Sequence, residues 1–276
     1  MADPDTAHPH HGDATHRFTL ACHPGDREVL AAQLWQAGAL GVWEQPESLA
    51  AWFRDPQAQV PAGGDWTQEP DVDWQAGWKA SIAPVLAGPV AIVPTWLADE
   101  FVTPEGIETV VVLDPGQAFG SGHHATTTLC TEYLAEQDLH GRSLFDVGTG
   151  SGVLAIVGAL RGAAPVLAVD IDAHAVKVTL ENTERAGRSF PTHEGSADFT
   201  QDTFDVVVAN LVTDVVTALA QDLAARVAPG GVLITSGIDA LRAHVPREAL
   251  ALTGLVLMTS RVRDGWAGDL WSRPRD

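Results

Sequence analysis

Asp146, Gly148, Gly150, Gly152, Asp170 and Asn210 are the residues of this chain whose types and spacing best suit holding a small molecule. Leu144-Phe-Asp-Val147 reads as a short buried strand, followed by a turn with glycine at 148, 150 and 152 and the start of a helix. Such glycines let a ligand lie against backbone where any Cβ would collide. Further on, the apolar run Val166-Leu-Ala-Val169 ends at Asp170, an acid placed to accept hydrogen bonds from a ribose diol. The unit is suited to a nucleoside. A tight strand-to-helix turn that holds nothing is the alternative reading of the glycines alone.

The spacing narrows the nucleoside. A dinucleotide fingerprint runs G-x-G-x-x-G, whereas this chain has G-x-G-x-G introduced by Asp146. No Walker-type lysine follows, which argues against a triphosphate cradle. Asp146 would repel a pyrophosphate and would suit the ammonium and sulfonium of S-adenosyl-L-methionine.

Three further stretches carry polar groups of interest. Residues 114–127 pack glycines, His123, His124, Thr126 and Thr127 ahead of a helix. The threonines suit a cap or first-turn position, or a hydroxyl contact to the ligand's amino-acid end. Two adjacent histidines with no third ligand in view argue against a metal. The strand Asp205-Val-Val-Val-Ala209 ends in Asn210, and ligands of open α/β sheets bind at the carboxyl ends of strands. Asn210 is thereby expected beside the reactive end of the ligand, its amide oxygen accepting from an amine nucleophile; a turn asparagine bonding its own backbone is the alternative. Gly195-Ser-Ala-Asp198 suits the adenine edge, through a backbone N–H or the Ser196 hydroxyl.

The elements that must position these residues divide the chain. Residues 1–15 read as a disordered tail carrying His8, His10 and His11. Residues 16–70 read as a small strand–helix–strand–strand domain, with an exposed Pro/Gly/Gln/Asp-rich connection over 55–73. Residues 71–88 read as a linker with a short helix bearing Trp74 and Trp78, and 89–276 as the catalytic domain. There, apolar runs alternate with helical stretches, including 215–227, which implies a parallel sheet covered on both faces.

Composition bounds the function. The 36 acids against 16 bases give a formal charge of −20, which argues against nucleic acid and favours a basic partner. No apolar run approaches membrane-spanning length, and the N-terminus does not resemble a secretory signal. Cys22 and Cys130 offer neither a disulfide framework nor a metal spacing, so a cytoplasmic setting is expected. A monomer is expected.

Together, residues 114–127, the turn 146–152, Val169-Asp-Ile-Asp172 and Val208-Ala-Asn-Leu211 resemble the methyltransferases that modify the large-subunit ribosomal protein L-eleven, the PrmA type. The resemblance spans residues 16–276 and is most specific in 114–127. It implies a Rossmann-like class I methyltransferase domain behind a small N-terminal α+β, ferredoxin-like domain that recognises the ribosomal protein. It implies S-adenosyl-L-methionine as cofactor, held by Thr127, Gly148, Asp170 and Asn210, with Gly150 in the turn. It also implies methylation of lysine ε-amines and the N-terminal α-amine. The chain departs from the family at Ala125, where many members carry proline, and in lacking a clear second helix before the linker. No residue stands out as a dedicated base, which leaves alignment by Asn210, with water taking the proton. The alternatives are a methyltransferase of the same fold acting on another protein or a small molecule, a binding protein that has lost turnover, and an NAD-linked dehydrogenase.

Overall fold

The computed structural model describes residues 16–23, 26–45, 47–55, 58–68, 82–114 and 124–275. The expectations for the tail, for the helix bearing Trp74 and Trp78, and for most of the 114–127 loop, including His123, lie outside the described residues. The chain divides into two compact units, residues 1–81 and 82–276.

In the first unit, strands β1 (His16–Ala21), β2 (Gly41–Gln45), β3 (Ser48–Phe53) and β4 (Asp65–Gln68) form an antiparallel sheet in the order β2-β3-β1-β4. Strand periodicity sends Phe18 and Leu20 of β1, and Leu49, Ala51 and Phe53 of β3, to one face. Ala31 and Leu34 of helix α1 (Arg27–Gln36) join them in a single core. The strand order is that of a ferredoxin-like β-α-β-β-α-β unit. Among the described residues between β3 and β4 there is no second helix.

Strand β4 corrects the reading of residues 55–73 as an exposed connection. Trp66 lies against Phe18 and Phe53, with ring centroids 5.1 and 5.2 Å apart. Gly64 makes the approach possible, because a Cβ there would stand 2.3 Å from the Phe18 ring. Four residues behind a glycine pair are too short to show a period, so only the packing reveals the strand.

The second unit opens with a three-stranded sheet. Strand β5 (Val85–Ala87) runs antiparallel to β6 (Val90–Pro94), which runs parallel to β7 (Thr109–Leu113). Helix α2 (Ala125–Ala135) follows. The seven-stranded sheet then comprises β8 (Leu144–Val147), β9 (Val166–Asp170), β10 (Thr192–Glu194), β11 (Phe204–Asn210), β12 (Val227–Asp239), β13 (Val256–Arg263) and β14 (Trp266–Ser272), in the order β10-β9-β8-β11-β12-β14-β13. Its helices are α3 (Val153–Leu160), α4 (Ala173–Arg185), α5 (Thr213–Ala218), α6 (Ala220–Arg226) and α7 (His244–Ala251), with a 3-10 turn at Ala240–Arg242.

Two expectations change here. The strands before residue 114 form their own sheet instead of extending the main one, and β14 pairs antiparallel with both β12 and β13. The helical stretch 215–227 is two helices that break at Leu219. The central strands are apolar throughout because both faces are covered: Leu144, Val206 and Val208 face one core, and Phe145, Val147, Val207 and Ala209 the other.

Register aligns the strand ends. β8 pairs Val147 with Val169 of β9 and with Ala209 of β11. Asp170, Gly148 and Asn210, the next residue on each strand, therefore end three neighbouring strands at one level. Glu194 of β10 pairs with Asp170, and Ser236 of β12 with Asn210, which extends the row to five strands.

Candidate active site

The carboxyl edge of the seven-stranded sheet gathers the residues singled out in the sequence. Gly148, Gly150 and Gly152 have φ of 74°, 57° and 83°, a region closed to most side chains. A Cβ on Gly148 would sit 2.3 Å from Cδ2 of Leu211, and one on Gly152 would sit 2.8 Å from Cγ2 of Thr179. The turn hangs from β9 through two hydrogen bonds, in which the N–H groups of Gly148 and Thr149 donate to the Val169 carbonyl at 2.9 and 3.0 Å.

Helix α4 secures the other side of the turn. Thr179 Oγ1 donates to the Gly150 carbonyl and Asn182 Nδ2 to the Ser151 carbonyl, both at 2.9 Å. Asn182 Oδ1 in turn accepts the Asp114 N–H at 3.2 Å, which ties the end of β7 to the same support. Sequence reasoning missed this role. The available signal was a polar set at 179, 182 and 183 on the buried face of an otherwise amphipathic helix.

Asp146 is fully buried at the base of the turn. Its Oδ2 accepts from Thr149 Oγ1 at 2.7 Å and from the Ala155 N–H at 3.2 Å. Its Oδ1 is buried and has no partner among the described residues. Burial above all, with the nearby Asp170 charge adding to it, pushes the carboxyl up to about 7. A buried acceptor of this kind calls for a donor, and a cationic one is favoured.

Asp170 lies at the tip of β9. Its Oδ2 accepts the Gly150 N–H at 2.9 Å and its Oδ1 accepts the Asp172 N–H at 3.0 Å. An ionised carboxylate has about four lone-pair directions, so capacity remains for hydroxyl donors. The Asp170 carbonyl accepts the Gly195 N–H at 2.8 Å, which holds the Gly195–Ser196 corner beside it. Ser196 is half-buried there, and the segment closes with Phe199 stacked on His193 at 4.9 Å. Ile171, directly after Asp170, is 79% exposed. An apolar side chain standing free next to a polar cradle suits the flat face of a base. Ile171 and Phe199 were not anticipated from the sequence.

On the opposite flank, Asn210 Nδ2 donates to Oγ1 of the buried Thr127 at 3.4 Å, joining the start of α2 to the end of β11. Asn210 Oδ1 is buried and, like Asp146 Oδ1, has no partner among the described residues. Thr126 is occupied elsewhere, 2.8 Å from His124 Nδ1, and the His124 ring stands edge-on to Trp266 at 4.9 Å. Asp146, Gly148, Gly150, Asp170, Ser196, Thr127 and Asn210 thus all belong to one edge of one sheet. The glycine cradle and the buried Asp146 Oδ1 fit S-adenosylmethionine, whose ammonium group is a donor.

Comparison with known proteins agrees with this chemistry. Residues 21–270 match the family described as Ribosomal protein L11 methyltransferase (PrmA). A relative of that name from Deinococcus radiodurans is 38% identical over 257 residues, covering 89% of this chain and 93% of its own. Another, from Thermus thermophilus, is 36% identical over 235 residues, covering 84% and 90%. The crystal structure of a ribosomal protein L11 methylase from Lactobacillus delbrueckii subsp. bulgaricus superposes with a TM-score of 0.65 at 29% identity, over 70% of this chain and 100% of that one. The chain belongs to the ribosomal protein L11 methyltransferase (PrmA) family and is an S-adenosylmethionine-dependent methyltransferase of the class I fold.

Proposed function

We propose that the protein transfers methyl groups from S-adenosylmethionine to lysine ε-amines and the N-terminal α-amine of ribosomal protein L11 in the cytoplasm. The observation that carries the reading is the pair of buried acceptors with no partner among the described residues, Asp146 Oδ1 and Asn210 Oδ1, on the neighbouring strands β8 and β11.

In this reading Asp170 accepts from the ribose hydroxyls and Ser196 meets the adenine edge. Gly148 and Gly150 keep the backbone close to the ligand. Thr127 and Asp146 face its amino-acid end. When bound, S-adenosylmethionine supplies an electrophilic methyl group and leaves as a neutral thioether, so no acid is needed. Asn210 Oδ1 accepts an N–H from the incoming amine and fixes its direction. The amine must be uncharged, and a lysine has an ordinary pKa of about 10.4, so desolvation in the site must lower it. Water takes the released proton, and rate comes mainly from alignment.

The first unit, residues 1–81, recognises the substrate protein; residues 82–88, expected to belong to a linker, are part of the second unit, where β5 pairs with β6. The charge of −20 suits a basic protein in place of nucleic acid. The protein is read as a monomer. Mass spectrometry of unmethylated ribosomal proteins, after incubation with enzyme and S-adenosylmethionine, tests the reading. Methyl increments on L11 are expected; increments on another protein, on a small molecule only, or on nothing would overturn it.

A further inference from the structure

We propose that the β11–α5 junction and the 3-10 turn after β12 form a docking ridge for the lysine-rich, partly apolar stretch of substrate protein that flanks the acceptor amine. This rests on the reading of the protein as a protein-amine methyltransferase. The ridge begins two residues after Asn210. It exposes Val212 (48%), Val215 (39%) and Leu241 (88%). Val212 is the extended residue that caps α5, and Val215 lies in its first turn.

These side chains are exposed on a braced surface. The Leu211 N–H donates to the Ser236 carbonyl at 3.0 Å. The Asp239 N–H donates to Thr213 Oγ1 at 3.1 Å, and Asp239 Oδ1 accepts the Leu241 N–H at 2.9 Å. Arg242 pairs with Asp214. Gly237, with φ of 80°, lets the Leu211 backbone pass where a Cβ would stand 2.4 Å from its carbonyl oxygen. Apolar surface fixed in the open beside a site marks an interaction surface.

Charge selects the occupant. Asp214 and Asp239 lie on the ridge itself, Asp214 paired with Arg242, while Asp172, Glu194 and Asp198 follow β9 and β10 on the far side of β8, within a chain of net charge −20. Lysines fit both features, with methylene stems on the valines and leucine and ammonium groups toward the acids. A second copy of this chain carries the same −20 and would be repelled.

The test uses the full chain carrying Val215→Ser and Leu241→Ser together, compared with wild type. With L11 as substrate, KM rises roughly tenfold, as expected for loss of one good interface contact, while kcat and the Kd for S-adenosylmethionine stay unchanged. A fluorescent decapeptide of alternating lysine and leucine binds the variant about tenfold more weakly, and its wild-type affinity falls with added salt. Equal peptide binding by the two proteins overturns the ridge whether or not L11 is modified. Weakened cofactor binding in the variant also overturns it, since the residues would then belong to the cofactor pocket. Absence of L11 methylation by wild type, with peptide binding still lost in the variant, would count against the substrate reading and leave the ridge standing.

Discussion

The Gly150 N–H donates to Oδ2 of Asp170 at 2.9 Å, so the acid at the tip of β9 braces the glycine turn that follows β8. One side chain shapes the cradle and also offers its remaining lone pairs to the ligand.

Asp170→Ala therefore removes a brace and a ligand contact together. Affinity for S-adenosylmethionine is expected to fall by one to two orders of magnitude, about 1–3 kcal/mol for hydrogen bonds to a charged group. Isothermal titration calorimetry checks this, and undiminished affinity would remove Asp170 from the site.

Asp146 makes the chain pH-sensitive. Its carboxyl is raised from 3.8 to about 7, first by burial and then by the charge on Asp170. Between those values the native chain holds a proton that the unfolded chain has released, so this group's contribution to stability falls as pH rises through the window. Asp146→Asn is expected to flatten that part of the stability curve in denaturant titrations. A bound ammonium favours the ionised form, so cofactor affinity is expected to rise as pH passes about 7, and this rise should vanish in Asp146→Asn.

Gly237→Ala tests the support behind Asn210. Its Cβ would meet the Leu211 backbone, which cannot swing aside as a side-chain end can, and its φ of 80° is unfavourable for alanine. A loss of about 1–3 kcal/mol in stability is expected, together with lower kcat from displacement of Asn210. Unchanged melting temperature and turnover would show that the junction is more pliant than its contacts suggest.

Asn210→Ala is expected to lower kcat about a hundredfold by releasing the amine from its line of attack. The fold should survive, because the amide makes one long hydrogen bond, to Thr127 at 3.4 Å. Single-turnover kinetics with saturating cofactor separates this loss from weaker binding.

Removing residues 1–81, the first compact unit, is expected to leave cofactor binding intact and abolish methylation of L11. Full-rate methylation by the remaining unit would place substrate recognition elsewhere.

Local order was enough to recognise the cradle. The run from Leu144 to Gly152 carries its own strand, turn and helix start, and Asp170 closes the next apolar strand, so sterics and periodicity along the backbone located them. The strand–helix–strand–strand order of β1, α1, β2 and β3 was legible for the same reason. What the linear order left open was decided by neighbours distant in sequence. Trp66 became part of a strand because Phe18 and Phe53 bury it. Thr179 and Asn182 became supports of the turn because α4 packs against it. Asp146 Oδ1 and Asn210 Oδ1 became buried acceptors, with no partner among the described residues, only once the sheet and its covering layers had enclosed both. Desolvation depends on everything that surrounds a group, and that surrounding exists only in the folded chain.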